Sequence, residues 1–108
     1  QEVFKFAVKT VPACIEKTLQ DAKLSAEEIT YYLLHQANKR IIQSVAKRLK
    51  QSEEKFPMNI EQCANTSAAS LPILLAQMNE QGRLHPGDKL VLSGFGAGLT
   101  WGACILEW

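Results

Sequence analysis

Three short stretches hold the residue types that can do chemistry. They are His35-Gln36-Ala37-Asn38, Asn65-Thr66-Ser67-Ala68-Ala69-Ser70 and Phe95-Gly96-Ala97-Gly98. Between them they offer an imidazole, a carboxamide and a glycine turn, the groups with which a fold presents hydrogen-bond donors to a developing oxyanion. Two neutral donors aimed at one oxygen stabilise an enolate or a tetrahedral oxyanion, each contributing on the order of 3 kcal/mol in such sites. Each stretch also has a plainer reading. A histidine at the end of an element can be satisfied by backbone groups. Asn65 can cap a helix, and the glycines can only be turning a hairpin. A nucleophile is what the sequence lacks. Cys14 falls inside a helical pattern, Cys104 inside a strand pattern, and Cys63 in a loop with no neighbouring base to lower its pKa. The residues therefore read as one half of an active site.

The elements that must position these groups follow from periodicity. Phe4, Ala7, Val8, Val11, Ile15, Leu19 and Ala22 recur at helical spacing, which predicts a long amphipathic helix from Val3 to Ala22. Pro12 should kink that helix or restart it. Ser25-Ala26-Glu27-Glu28 has the form of a capping box and predicts a short helical turn. Tyr31 to Leu34 is a short apolar run suited to a buried strand, which sets His35 at its carboxyl end, where ligands bind in α/β sheets. A second helix is expected from about Asn38 to Lys50, with Ile41, Ile42, Val45, Ala46 and Leu49 on its apolar side and a basic polar side. That basic side is either a solvated face or a steering surface for an acidic partner at the mouth of the crevice. Pro57 and Asn59 mark a loop. Thr66 or Ser67 then caps a third helix through Leu71, Leu74, Leu75 and Met78 toward Gly82, with Pro72 in or near its first turn. His85 to Asp88 is turn chemistry, and two nearly continuous apolar strands follow, Lys89 to Phe95 and Leu99 to Trp108. The order α, β, α, α, β, β implies a small layered α/β domain. Three strands and three helices are few to cover a sheet on both sides, so one apolar face is expected to be completed by another domain or subunit.

Composition bounds the function classes. With 108 residues, 46% apolar and 21% charged, the chain fits one globular domain, residues 1–108. A net charge of +1 gives no general case for nucleic acid. No apolar run approaches the roughly 20 residues that span a bilayer, and the first residues lack the order of a signal peptide, so a cytoplasmic protein without membrane contact is expected. Three widely spaced cysteines without a Cys-x-x-Cys pair support neither a disulfide framework nor a metal site. The start at Gln1 and the stop after Trp108 suggest a piece of a longer chain.

Taken together in this order and spacing, His35-Gln36-Ala37-Asn38, Asn65 to Ser70, and Phe95 to Gly98 followed by Thr100-Trp101-Gly102 closely resemble the carboxyl-terminal half of the β-ketoacyl-acyl carrier protein synthase III family. The likeness covers essentially the whole chain. It implies the carboxyl-terminal half of a thiolase-like α/β fold, a small mixed β-sheet packed with helices, with the nucleophile-bearing amino-terminal half absent. It further implies a condensation of an acyl-coenzyme A primer with malonyl-acyl carrier protein. In that scheme His35 and Asn65 bind the malonyl thioester carbonyl, so that loss of carbon dioxide leaves a stabilised enolate, which attacks an acyl-cysteine of the other half. Phe95 would pack against the reacting group and Gly96 approach the acyl oxygen. Asn38 would contact the coenzyme A arm, Phe4, Ala7 and Ala37 would line its tunnel, and Arg40 would dock the acidic carrier protein. The resemblance implies no cofactor or metal beyond the coenzyme A thioester and the carrier's phosphopantetheine as substrates. Its implied partners are the chain's own amino-terminal half, the carrier protein, acyl-coenzyme A and a second copy in a homodimer. Ala64, Ala97 and Leu99 depart from the family's usual Gly, Gly and Phe, and Pro12 is unusual in the first helix. Two other readings remain: another thiolase-like condensing enzyme of polyketide or alkylquinolone type, and a non-catalytic module that binds carrier protein or acyl-thioester.

Overall fold

A computed structural model describes residues 2–34, 39–57, 70–95 and 101–108, with the side chains of 2–4, 6, 70–73, 95 and 101 outside the description. Three helices and a sheet of three strands make up its regular structure. Helix α1 runs Glu2–Asp21, strand β1 Tyr31–Leu34, helix α2 Lys39–Leu49, helix α3 Ser70–Glu80, strand β2 Lys89–Phe95 and strand β3 Trp101–Glu107. Short 3-10 turns at Ala26–Glu28 and Glu53–Lys55 lie between them.

Helix α1 forms because Ala7, Val11, Ile15 and Leu19, spaced four apart, all find the same apolar neighbours, and each is at most 4% exposed. It passes Pro12 as one continuous helix rather than restarting there. The capping box is present: the Ser25 N–H donates to Glu28 Oε2 at 2.8 Å. That bond, more than the nearby Lys89 charge, holds the Glu28 carboxyl below its ordinary value.

The sheet has the order β1-β2-β3, mixed in direction. Strand β1 runs parallel to β2, with Tyr31 opposite Leu90 and Leu34 opposite Ser93. Strand β3 returns antiparallel to β2, with Phe95 opposite Trp101 and Lys89 opposite Glu107. Alternation along the strands divides the core. Tyr32, Leu34 and Val91 face α1 and α2 and pack with Ala7, Ile15, Ile42 and Val45. Leu33 and Leu90 face the other way and pack with Leu74 and Met78 of α3. Strands β1 and β2 are therefore covered on both sides, which explains why their sequences are apolar without alternation. Strand β3 is covered on the α1 face through Ala103 and Ile105. Cys104 and Leu106 on its other face are exposed, as is Trp108 just past its end, the last two by 36% and 42%.

Candidate functional site

The parallel pairing of β1 and β2 decides where the candidate residues fall. Both strands finish at the same end of the sheet, and the antiparallel β3 starts there, since Phe95 stands opposite Trp101. The residue after Leu34 is His35, and the residue after Phe95 is Gly96. The two stretches singled out around them thus leave from the carboxyl ends of neighbouring parallel strands, the position at which α/β sheets open a crevice. His35, Ala37, Asn38, Asn65 and Gly96 themselves lie outside the described residues, as do the side chains of Phe4 and Phe95. Helix α3, which follows the Asn65 stretch in sequence, begins at Ser70, so the predicted capping by Thr66 or Ser67 also falls outside the description.

Of the remaining candidates, Ala7 is fully buried, in the same apolar cluster as Leu34 and Val91. Arg40 stands in the first turn of α2 and is exposed. It borders a surface depression of about 560 Å³ that Ser44, Lys47, Gln51 and Glu53 also line. Lys39, Lys47, Arg48 and Lys50 are exposed as well, so the helix leading away from the His35 stretch carries a cationic outer face. Such a face raises the local concentration of an acidic partner and loses this effect as salt is added. Its apolar side is anchored by Ile42, Val45, Ala46 and Leu49, each at most 6% exposed.

Two further features were not foreseen. Ser93 is 2% exposed, flanked by Leu34 and Ala103 across the ladder, and its Oγ has no hydrogen-bond partner among the described residues. A serine directly after the apolar run Leu90-Val91-Leu92 was the visible signal. The second is a hydrogen bond from Arg48 Nη1 to the Val8 carbonyl at 3.3 Å, joining α2 to α1. Its signal was Pro12, which leaves a carbonyl four residues earlier without a helical donor. Cys14 is half-buried in α1 and Cys104 is exposed on β3. Among the described residues no group of three His, Cys, Asp or Glu lies close enough to hold a metal ion. No described helix is long and apolar enough to cross a membrane.

Known proteins resemble this chain along its whole length. A family profile described as 3-oxoacyl-[acyl-carrier-protein (ACP)] synthase III C terminal matches residues 19–108. The chain is 53% identical to beta-ketoacyl-[acyl-carrier-protein] synthase III of Clostridium tetani, over 100% of this chain and 32% of that protein. It is 52% identical to the chloroplastic beta-ketoacyl-[acyl-carrier-protein] synthase III of Arabidopsis thaliana, over 100% of this chain and 27% of that one. A crystal structure of 3-oxoacyl-[acyl-carrier-protein] synthase III from Aquifex aeolicus superposes with a TM-score of 0.95 at 39% identity, over 99% of this chain and 35% of that chain. The chain thus spans about a third of the length of the relatives that it matches.

Proposed function

We propose, from the premise that the chain belongs to the 3-oxoacyl-[acyl-carrier-protein] synthase III C-terminal family, that it forms the carboxyl-terminal catalytic part of a β-ketoacyl-acyl carrier protein synthase III. The observation that carries this reading is identity at about half of all positions, along the whole 108 residues, with proteins of that name. In the proposed reaction a malonyl thioester on the acyl carrier protein enters the crevice at the carboxyl ends of β1 and β2. His35 and Asn65 donate to its thioester carbonyl oxygen. The bond to the carboxylate breaks, carbon dioxide leaves, and the electron pair moves onto the oxygen that the two donors stabilise. The resulting enolate carbon attacks an acyl group carried as a thioester on a cysteine of the remaining part of the enzyme. A carbon–carbon bond forms, the cysteine leaves as thiolate, and a β-ketoacyl thioester results.

The other site residues serve binding. Phe95 and Gly96 shape the acyl pocket, and Phe4, Ala37 and Asn38 receive the pantetheine arm of the coenzyme A primer, while Ala7, sealed in the core with Leu34 and Val91, seats α1 behind that wall instead of lining it. Arg40 docks the carrier protein, supported by the cationic outer face of α2 and its depression. The substrates bring the only prosthetic chemistry, the thioester arms of coenzyme A and of the carrier. The enzyme is read as a cytoplasmic homodimer in which this chain's part and the nucleophile-bearing part complete one site.

The test is a separation of steps in the complete enzyme. His35→Ala and Asn65→Ala are each expected to lower malonyl decarboxylation by about 100-fold to 1,000-fold, while transfer of the primer acyl group to the cysteine persists. Equal loss of both steps would remove the assigned roles. The isolated 108-residue chain should give no condensation product, and turnover by it would overturn the division of the site.

A further inference from the structure

We propose that Arg48 is a positioning residue. Its guanidinium supplies the hydrogen bond that Pro12 takes away from α1, and so fixes the amino-terminal half of α1 against α2. In an α-helix the donor for the carbonyl of residue 8 is the N–H of residue 12, and a proline has none. Helix α1 nevertheless runs unbroken from Glu2 to Asp21 through Pro12. The Val8 carbonyl accepts instead from Arg48 Nη1 at 3.3 Å, across forty residues of sequence. An arginine suits this place because its long apolar stem can span the gap between helices while its planar head keeps several donors. The contact sits over a packed seam in which Ala7, Val11 and Ile15 of α1 meet Ile42, Val45 and Ala46 of α2 in one apolar cluster.

The consequence concerns the half of α1 that precedes Pro12. A proline within a helix loosens the angle between the turns on either side of it. Phe4, proposed to face the pantetheine arm, lies on the preceding half in sequence, and Ala7 anchors that half in the core. Helix α2 begins directly after the His35 to Asn38 stretch, and Arg48 stands in its last turn. A clamp from there to the Val8 carbonyl therefore acts at a distance from the proposed tunnel, by setting the angle at which α1 lies against α2. Arg48 is thereby distinguished from the other cations of α2: it orders the fold of the site, whereas Arg40 meets the partner. The link to the tunnel rests on the proposed function, while the clamp does not.

A double-mutant cycle in the complete enzyme tests both parts. Arg48→Met keeps the apolar stem and removes the donors, and Pro12→Ala restores a helical N–H to the Val8 carbonyl. In the Pro12 background, Arg48→Met is expected to raise amide hydrogen exchange in residues 2–11 about fivefold. It should also raise KM for the acyl-coenzyme A primer severalfold, with kcat within about twofold. In the Pro12→Ala background the same substitution should change exchange by less than about twofold and leave KM unmoved. Should Arg48→Met not fold, Arg48→Lys provides a milder loss for the same comparison. An effect of equal size in both backgrounds would show that Arg48 acts through charge alone, and would overturn the clamp. Coupling in exchange with KM unchanged would keep the clamp and overturn its link to the tunnel.

Discussion

Tyr32 and Ser93 each set a hydroxyl inside the same apolar face of the sheet, with opposite outcomes. Tyr32 is fully buried, its ring stacked on Phe56 with centroids 4.7 Å apart and planes 6° from parallel. Its hydroxyl donates to the Ala26 carbonyl at 2.8 Å. Ser93 makes no such bond among the described residues, and an unsatisfied buried hydroxyl costs about 1–3 kcal/mol. Burial, more than the Glu27 charge nearby, pushes the Tyr32 phenol up to about 12. An unfolded tyrosine releases its proton near pH 10. Between those values the unfolded state binds fewer protons than the folded one, so stability present below pH 10 is lost as pH rises toward 12. Tyr32→Phe should cost about 1 kcal/mol near pH 7, where the bond to Ala26 is lost. The same variant should lose stability less steeply than the parent above pH 10. Urea unfolding of the complete enzyme and its Tyr32→Phe form at pH 7, 10 and 11 checks both effects, and parallel alkaline losses would refute the linkage.

At the scale of elements, one helix ending is used three times. After α1, the Leu24 N–H donates to the Leu19 carbonyl and the Lys23 N–H to Gln20. After α2, Gln51 donates to Ala46 and Lys50 to Lys47; after α3, Arg83 donates to Met78 and Gly82 to Asn79. This pair of bonds closes a helix when the residue after its last turn takes a left-handed conformation. Gly82 does so at φ 72°, Lys23 at 60° and Lys50 at 58°. A side chain in that region costs on the order of 1 kcal/mol, and glycine avoids most of it. Lys50→Gly and Lys23→Gly are each expected to raise the stability of the complete enzyme by about 0.5–1 kcal/mol, read as an increase in melting temperature; a decrease would show that the lysine side chains matter more than the backbone strain. Only the Gly82 stop was legible in the sequence, because lysine gives no turn signal. Strand β1, the capping box at Ser25 and the apolar sides of α1 and α2 were legible, since each depends on spacing within a few residues. The 3-10 turn at Glu53–Lys55 was missed, being three residues long with only Ser52 to announce it. The partnership of β1 with β2, which brings the ends leading to His35 and Gly96 together, could not be read locally: those strands are separated by more than fifty residues of chain. A separation of forty residues likewise hid the Arg48 contact with Val8.

At the scale of the whole molecule, the sheet is finished on one side and unfinished on the other. Helices α1 and α2 cover all three strands on their face, reaching Ala103 and Ile105 of β3. On the opposite face the α3 cluster takes in Leu33, Leu90 and Leu92 of β1 and β2 and, among the described residues, none of β3. Leu106 and Trp108 are left exposed beside Cys104. A water-facing leucine on the strand at the edge of the described sheet and a tryptophan just past its end form a surface that a stable monomer avoids, both because burying each contributes about 1.5–3 kcal/mol and because such edges recruit other chains. The relatives are about three times as long as this chain, which leaves ample polypeptide to lie on that face. The isolated chain should therefore bind a hydrophobic dye and associate in proportion to its concentration. Leu106→Ser with Trp108→Ser should weaken both, whereas in the complete enzyme the same pair should destabilise the fold by about 2–4 kcal/mol through lost burial. A monomeric isolated chain that melts cooperatively and leaves the dye unbound would show that β3 needs no cover.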